Sequence, residues 1–500
     1  MFSLESIIAD KKIRADVKAL LYLPSKKTPE YLVLLSKLRQ GVKVERNERF
    51  RIYFVDKSVL VEDVVLGSYA EVLASRLLLR HEVLKGEELV HTLSKTYRRE
   101  VVTQLLRDLV VEHKYAAVNL VIEPRYFLHE KVRRLVEVFP VIRSDLVEAL
   151  ADDHESAEKF RETAQEFVKE GLLESVEVGF SPTAEAVKRF EKSSPLPGLE
   201  QLRKLNLLKI SRAFSLLVFE MASRLVSPAA GLQDPERFVY VRTAVGLQPL
   251  SKQLDMMEFV REFYGSEGRV KRIGGLFNST YVIEVDSVKL FAKRYQSWTD
   301  VKWVAARVWT AWVKDFSIDP STRMAKEIYF LDLFRKREFN TPEIIHVNWR
   351  DKILYTSYIE GVNLVDAWVE KMADRESFAR MVGETLADVH SAGIRLGDCK
   401  PESFIKTVEN KIFITDVEQA SFDGDPAWDL MELIFYPGHY LDVDDSVKLA
   451  ENVVEGYVRR GSLDVVRKAL RPSYVRTMSL WTPPWVQKAI IDRVKQFLTV

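Results

Sequence analysis

The chain has very little cysteine, almost no net charge and no long uncharged apolar run. Cys399 is the single cysteine in 500 residues, which excludes an internal disulfide and favours a reducing, cytoplasmic location. The most apolar window, 213–226, contains Glu220 and Arg224, so it predicts an amphipathic helix and no transmembrane segment. The first residues show no small-residue cleavage site, and we expect no signal peptide. A net charge of +1 gives no general attraction to nucleic acid or anionic membrane.

The composition is that of a globular protein with more than one domain. Hydrophobic residues make up 47% and charged residues 29% of the chain, and 500 residues exceed what one hydrophobic core usually serves. We therefore predict three domains, at 1–150, 151–265 and 266–500. The polar and proline-containing run from Ser193 to Gly198 is the clearest linker.

Hydrophobic periodicity predicts the secondary structure of the first half. In the first domain it predicts helices at 33–38, 69–84 and 97–112 and a strand at 51–56. In the second it predicts a helix at 155–169, two short strands ending at Ser181-Pro182, a helix at 184–190, a helix at 199–226 and a strand at 237–243. Helix, hairpin and helix in this order are typical of a winged-helix module, and a small helical linker domain accounts for them equally well.

Two aspartates in the last domain are candidates for the two carboxylates that phosphoryl transfer uses. Asp398 lies in the loop L-G-D-C-K-P-E-S-F at 396–404, and Asp416 ends the apolar strand K-I-F-I-T-D. That reaction needs one carboxylate to accept the proton of the attacking hydroxyl and another to hold Mg²⁺ on the phosphates. Asp429 begins a helix, where it is an N-cap candidate and a candidate brace for the Asp398 loop. We expect His390, at the end of a core helix, to be structural.

Residues upstream supply candidates for nucleotide binding. Gly274 and Gly275 form a turn between two β-rich segments, where backbone amides can approach phosphate oxygens. Lys293 follows on a strand and can reach the phosphates, with Lys289 as a rival on the same strand. Glu327 opens an amphipathic helix from which it could pair with Lys293.

The segment L-Y-T-S-Y-I-E-G at 354–361 is a strand that ends in glycine. Such a strand is suited to a hinge that presents backbone groups to adenine. Ser357 and Ile359 are therefore candidates for contacting the nucleotide base.

Residues 269–440 resemble the atypical protein-kinase-like fold shared by RIO kinases, KEOPS-complex kinases, lipopolysaccharide kinases and aminoglycoside or choline phosphotransferases. The resemblance rests on G-G-L-F-N-S-T-Y, T-P-E-I-I and L-G-D-C-K-P-E-S-F. It implies an α+β protein whose two-lobed domain, with lobes at 266–358 and 359–500, uses ATP and Mg²⁺ or Mn²⁺. It further implies these roles: Asp398 as base, Lys293 and Glu327 as the phosphate-orienting pair, Asp416, Ser403 and Glu418 as metal ligands, and Gly274, Gly275, Asn278, Lys293, Ser357 and Ile359 around the nucleotide.

The sequence departs from that family at three site positions. Leu396 replaces the motif histidine, Ser403 replaces a metal-binding asparagine, and Glu418 replaces a glycine. A serine hydroxyl is a poorer ligand for a hard cation than an amide carbonyl, and Glu418 adds a carboxylate that could compensate. Two functions stay open: a phosphotransferase acting on a hydroxyl of a small molecule or of a protein serine or threonine, and a pseudokinase scaffold.

The stretch between Asp416 and Asp429 is short. Only residues 417–428 separate the two aspartates, too few for an activation loop with a phosphosite. This favours a small-molecule acceptor, whereas the likeness to KEOPS and RIO kinases favours a protein.

Two further features point to partners. Tryptophans cluster at 298–312 (Trp298, Trp303, Trp309 and Trp312), which fits a partner-binding or membrane-interface helix, although we favour an aromatic insertion packed inside the protein. Basic residues of the first domain could form a face for nucleic acid, although interspersed acids favour an ordinary solvated surface: Arg98, Arg99, Arg125, Lys131, Arg133 and Arg134.

The segment V-I-E-P-R-Y-F-L-H-E-K-V-R-R-L-V-E-V-F-P at 121–140 resembles archaeal nucleotidyltransferase-like proteins. Gly67-Ser68 is not followed by the paired aspartates that such enzymes require. The adjacent Glu62 and Asp63 would lie on opposite faces of a strand. The resemblance therefore implies a degenerate, non-catalytic α/β domain.

Overall fold

A computed structural model describes residues 8, 11–24, 29–46, 49–138, 150, 153–192, 232–265, 267–274, 278–296 and 317–498. The protein is of mixed α+β class. Its contacts divide it into two compact units, the first comprising 1–112, 120–241 and 249–251 and the second 113–119, 242–248 and 252–500. The three domains at 1–150, 151–265 and 266–500 stay a prediction. Among the described helices, none is sufficiently long and apolar to traverse a lipid bilayer.

The first unit begins with a five-stranded mixed sheet. Helix α1 (Lys11–Asp16) precedes β1 (Val17–Leu23), β2 (Glu30–Leu35), β3 (Val42–Arg46), β4 (Arg51–Asp56), α2 (Lys57–Leu66) and β5 (Glu82–Lys85). The order is β3-β4-β2-β1-β5, with β2 and β4 parallel. Every residue of β2 and β4 is buried, as expected for central strands with near-continuous apolar sequence. Leu20, Val33 and Phe54 contribute to the core on one face.

The structure corrects two of the helices predicted here. Residues 33–38, predicted as a helix, include the end of β2, because V-L-L continues a buried apolar run of strand length. The segment 69–84, also predicted as a helix, forms turns, a 3₁₀ helix at Ala74–Leu77 and the start of β5. The strand at 51–56 is confirmed.

Asp63 explains the irregular backbone after α2. Its carboxylate, which is fully buried, accepts backbone N–H groups from Tyr69, Glu71, Leu73 and Ala74 at 2.7–3.1 Å. Four such bonds fix the chain as turns rather than as a continuing helix. Glu62 and Asp63 thus lie on a helix and not on a strand, and Asp63 is a structural residue.

The rest of the first unit is mainly helical. It contains most of α3 (Glu87–His113), then β6 (Leu120–Ile122), α4 (Pro124–Val138), α5 (His154–Lys169), β7 (Leu173–Ser175), β8 (Phe180–Pro182), α6 (Ala184–Phe190) and most of β9 (Val239–Thr243). Strand β6 pairs antiparallel with both β8 and β9. The predicted helix at 97–112, the order helix, hairpin, helix and a strand near 237–243 are confirmed. The predicted linker at 193–198 and helix at 199–226 lie outside the described residues.

The second unit opens with an antiparallel sheet. After β10 (Gly246–Pro249) and α7 (Met256–Tyr264) come β11 (Arg269–Gly274), β12 (Asn278–Val285), β13 (Val288–Tyr295), α8 (Pro320–Lys336), β14 (Ile344–Asn348) and β15 (Ile353–Ser357). The sheet order β11-β12-β13-β15-β14 places β13 at the centre. Phe259 and Val260 of α7 pack on Leu290 and Ala292 of β13, so α7 belongs to the core of this sheet.

The chain then becomes predominantly helical. It forms β16 (Val362–Asn363), α9 (Leu364–Val369), α10 (Arg375–Ser391), β17 (Phe404–Lys406), β18 (Ile412–Ile414), α11 (Pro426–Phe435), α12 (Val443–Arg460), α13 (Leu463–Ala469), α14 (Pro472–Val475) and α15 (Pro484–Val494). Helices α10 and α12 cross closely at two glycines. A Cβ at Gly383 would lie 2.1 Å from the carbonyl oxygen of Val453, and one at Gly456 would lie 2.0 Å from that of Arg380.

Candidate active site

Lys293 on β13 and Glu327 on α8 form a buried ion pair. Lys293 is 5% exposed, and its Nζ lies 2.7 Å from Oε2 of Glu327. Alternation along β13 places Leu290 and Ala292 against α7 and turns Lys293 towards α8. Lys289 shares the side of Lys293 but is exposed and pairs with Glu360 at 3.1 Å. Of the two lysines, Lys293 is thus the one that contacts Glu327.

Asp416 lies at the same ammonium group. It follows β18, and its Oδ1 is 2.5 Å from Nζ of Lys293. Its φ of +57° is in the left-handed region, where non-glycine residues are uncommon and often occur at functional sites. The side chain is 46% exposed, so one side of the carboxylate remains accessible.

Glu418 and Arg323 complete this cluster. Oε2 of Glu418 lies 3.0 Å from Nζ of Lys293, and Oε1 lies 3.2 Å from Nη1 of Arg323. Arg323 is fully buried on α8, one turn before Glu327, and also donates to the carbonyl oxygen of Gln296. The sequence analysis did not identify Arg323. Its position four residues before Glu327, on the same helix face, was the available signal.

The pKa values reflect three carboxylates around one ammonium. Although burial opposes its charge, Asp416, Glu327 and Glu418 raise the pKa of Lys293 well above its usual value. Burial alone would raise the pKa of Asp416, but the positive charge of Lys293 outweighs this effect and lowers it. Burial raises the pKa of Glu327, and the negative charges of Asp416 and Glu418 add to this effect while Lys293 opposes it. The hydroxyl of Tyr295 donates a second hydrogen bond to Oε2 of Glu327, the same oxygen that Lys293 contacts.

Asp398 lies in a loop whose backbone is held by helix α11. The fully buried Asp429 accepts the N–H groups of Leu396 and Gly397, each at 2.7 Å. Glu432 accepts the N–H of Cys399 at 2.8 Å. These bonds fix the residues on both sides of Asp398, which confirms Asp429 as a brace for the loop. Asp425, not Asp429, is the N-cap of α11.

Lys400 of this loop and His390 of helix α10 also have defined contacts. Lys400 lies 2.9 Å from Oδ1 of Asp398, and this contact together with Glu432 raises the pKa of Lys400 although burial opposes its charge. His390 contacts Asp429 at 3.1 Å and Tyr457 at 2.8 Å, which confirms the structural role expected for it.

The hairpin of β17 and β18 brings the two halves of the site together. Phe404 pairs with Ile414, and one residue further the N–H of Thr415 donates to the carbonyl oxygen of Ser403 at 2.8 Å. The end of the Asp398 loop is therefore held beside the residue preceding Asp416. Ser403 is buried in a 3₁₀ turn (Pro401–Ser403).

The carboxylates suit a divalent cation. One oxygen each of Glu327, Asp416 and Glu418 lie within 4.8 Å of one another. Carboxylate oxygens are the ligands that Mg²⁺ prefers, and Mg²⁺ usually takes only one or two of them from the protein. Asp416 and Glu418 thus fit the predicted ligand role, and Glu327 joins them in this set. The described contacts of Ser403 pass through its backbone, and its role as a ligand stays a prediction.

The nucleotide contacts of Gly274, Gly275, Asn278, Lys293, Ser357 and Ile359 all stay predictions. Gly274 ends β11, where a Cβ would lie 3.6 Å from Oγ1 of Thr280. Gly275 and the side chain of Asn278 are outside the described residues. Ser357 ends β15, and its N–H donates to the carbonyl oxygen of Glu343 at 2.9 Å. Ile359 is half-buried just beyond that strand.

The structure describes one of the two predicted partner surfaces. The tryptophan segment 298–312 lies outside the described residues. The basic face for nucleic acid is not supported, because its exposed guanidinium groups are paired with acids. These pairs include Arg99 with Glu170, Arg125 with Asp153, Arg133 with Glu137 and Arg134 with Asp108.

Known proteins show similarity to about half of this chain. The microcompartment-associated aminopropanol kinase is 12% identical, with a TM-score of 0.27, over 46% of this chain and 93% of its own. A thermostable mutant of an aminoglycoside phosphotransferase, in a ternary complex with AMP-PNP and hygromycin B, is 15% identical, with a TM-score of 0.24, over 48% of this chain and 97% of its own. No protein-family model and no curated protein matches the chain. At these low TM-scores we base the functional assignment on the geometry of the site.

Proposed function

We propose that this protein is an ATP-dependent phosphotransferase of the atypical kinase-like class. The observation that carries the proposal is the contact of Lys293 with both Glu327 and Asp416, at 2.7 and 2.5 Å. A buried lysine held by a helix glutamate, next to a partly exposed aspartate at a strand end, is suited to orienting nucleotide phosphates. The braced Asp398 loop supplies the second carboxylate that the reaction needs.

Each residue has a defined task in this proposal. Lys293, oriented by Glu327, binds phosphate oxygens. Asp398 accepts the proton of the attacking hydroxyl, and its position is set by the bonds of Asp429 and Glu432 to the neighbouring amides. Lys400 lies 2.9 Å from Oδ1 of Asp398 and helps to hold this side chain in place. Asp416 and Glu418, assisted by Ser403, would hold Mg²⁺ or Mn²⁺, which neutralises phosphate charge when bound.

The acceptor is a hydroxyl of a small molecule or of a protein serine or threonine. Residues 417–428 form turns and the start of α11, and Ser421 pairs with Arg395 through two backbone hydrogen bonds of 2.9 Å. This compact connection supports a small-molecule acceptor, because it leaves little chain for docking a peptide. We further propose that the region before residue 266 is non-catalytic. We also propose that the segment 298–312 contacts a protein partner.

The alternative is a pseudokinase that binds ATP as a scaffold. The observation that favours it is Ser403, which stands in place of a metal-binding asparagine and makes its described contacts through the backbone. In that case nucleotide would bind without transfer of phosphate.

The deciding experiment measures hydrolysis and autophosphorylation with γ-labelled ATP in Mg²⁺ and in Mn²⁺. Wild type is compared with Asp416→Ala and with Asp423→Ala, an exposed aspartate in the following turn, as the matched control. We expect release or transfer of label in wild type and in the control, and loss in Asp416→Ala. Bound nucleotide with no label transfer in any variant would support the scaffold, and no nucleotide binding would refute both functions.

A further inference from the structure

Three carboxylates surround the ammonium group of Lys293, two of them as hydrogen-bond acceptors and Glu418 as an ion-pair partner. Its Nζ lies 2.7 Å from Glu327, 2.5 Å from Asp416 and 3.0 Å from Glu418. An ammonium group has three N–H bonds and no acceptor. A phosphate oxygen that approaches Lys293 must therefore compete with carboxylates that already surround its ammonium group.

The three carboxylates differ in what else holds them. Glu327 also accepts a hydrogen bond from Tyr295, and the side chain of Asp416 is 46% exposed. Glu418, whose side chain is only 5% exposed, is bound at its second oxygen by the fully buried Arg323, at 3.2 Å. Of the three, Glu418 is the carboxylate with a second buried cation beside it. It can leave Lys293 without becoming an unpaired buried charge, which would be strongly destabilising.

While Glu418 contacts Lys293, the net charge of this cluster disfavours the binding of a nucleotide. Lys293 and Arg323 contribute two positive charges, and Glu327, Asp416 and Glu418 contribute three negative ones. The cluster therefore carries an excess negative charge at a site that would receive a polyphosphate, and like charges at short range in a poorly solvated site repel strongly.

We infer that Glu418 competes with nucleotide phosphates for Lys293 and that Arg323 retains Glu418 when it withdraws. The inference rests on the proposed function and adds a residue pair that sets nucleotide affinity. Glu418 is thus a positioning residue for Lys293. Asp416 and Glu418 would also hold a divalent cation, which would supply positive charge beside the phosphates, so we expect nucleotide and cation to bind cooperatively.

The test measures ATP affinity by calorimetry in EDTA and in Mg²⁺, for wild type and Glu418→Gln. Glutamine keeps the size of the side chain and removes its charge. We expect Glu418→Gln to tighten ATP binding in EDTA by about tenfold, which corresponds to about 1.4 kcal/mol and is typical of one hydrogen bond to a charged group. In Mg²⁺ the gain should shrink or reverse, because the variant also loses a cation ligand. Glu384→Gln, which removes a carboxylate paired with the surface residues Arg459 and Arg460, should match wild type in both buffers.

The outcomes separate this inference from the proposed function. If wild type binds ATP in Mg²⁺ and Glu418→Gln binds no more tightly in EDTA, the competition is refuted while the phosphotransferase assignment stands. If wild type binds no ATP in either buffer, both fail. Should thermal unfolding show that Glu418→Gln is not folded, Glu418→Asp serves instead. Its carboxylate has a shorter reach to Lys293 and keeps its charge for Arg323, so the same tightening in EDTA is expected, and its absence overturns the inference.

Discussion

Lys293 and Glu327, 34 positions apart in the chain, join their side chains at 2.7 Å in the interior of the second unit. The pair connects the central strand of the sheet to helix α8. Asp416 and Glu418 then contact the same ammonium group. One lysine thus couples the strand, the helix and the segment after β18, and the position of each affects the others.

Replacing Glu327 by glutamine should lower turnover by about 10²-fold, because a misplaced phosphate-binding lysine spoils the alignment of the reacting atoms. Tyr295→Phe removes only the hydroxyl that donates to Glu327 and should have a much smaller effect. Steady-state kinetics with labelled ATP provide the measurement. Equal activity of wild type and Glu327→Gln would remove this pair from the mechanism.

Asp398→Asn should lower kcat by about 10²–10⁴-fold, the usual contribution of a general base. ATP affinity should stay near that of wild type, since Asp398 contacts Lys400 rather than Lys293. Kinetics and calorimetry on one preparation separate the two effects. Asp366→Asn, an exposed aspartate in the first turn of α9, is the control. A loss of ATP affinity equal to the loss of kcat would contradict the role of base.

Asp429→Ala should destabilise the second unit by about 3 kcal/mol, because it leaves two buried N–H groups without their acceptor. Asp425→Ala on the same helix removes an N-cap, which costs about 1 kcal/mol. Urea unfolding followed by circular dichroism measures both. Similar losses for the two variants would show that the bonds of Asp429 to the loop contribute little.

Protonation of His113 should destabilise the protein in mild acid. This histidine packs on Trp349 with ring centroids 4.5 Å apart, and within the described part of the chain neither ring nitrogen has a hydrogen-bond partner. Burial lowers its pKa from 6.5 to about 3. Below pH 6.5 the histidine binds a proton in the unfolded chain but stays neutral in the folded protein. Its contribution to the free energy of unfolding is therefore fully present above pH 6.5 and is lost as the pH falls towards 3.

The expected loss from this residue between pH 7 and pH 5 is about 2 kcal/mol. His113→Phe should remove that part of the pH dependence, whereas His91→Phe, at an exposed position, should not. Urea unfolding at the two pH values gives the comparison. An unchanged pH dependence in His113→Phe would show that His113 does not titrate as described.

Gly383→Ala should destabilise the protein by about 3 kcal/mol, at the upper end of the cost of overpacking, because its Cβ would lie 2.1 Å from a backbone oxygen of α12. Thr385→Ala, two residues further on α10, loses only a hydroxyl bonded within its own helix and should change stability little. Thermal unfolding distinguishes them. A Gly383→Ala variant as stable as wild type would mean that the two helices can separate at no cost.

The sequence determined the residues that carry charge and the local elements that carry them. Local motifs in the sequence predict Asp398, Asp416, Lys293 and Glu327 as site residues, and the structure brings the last three into contact. Residues 33–38 and 69–84 were misassigned, since a short apolar run fits either element and the four backbone bonds to Asp63 are not visible in the sequence.

Only the tertiary structure decided which charges meet. The sequence offers both Lys289 and Lys293 on one strand as partners of Glu327. In the structure Lys293 is buried against α8 and makes that contact. Arg323 and Glu432 became candidate site residues through contacts with Glu418 and the amide of Cys399, across 95 and 33 positions. Charge is a property of the residue, whereas desolvation and pairing depend on which distant segments pack together, and these set what each charge can do.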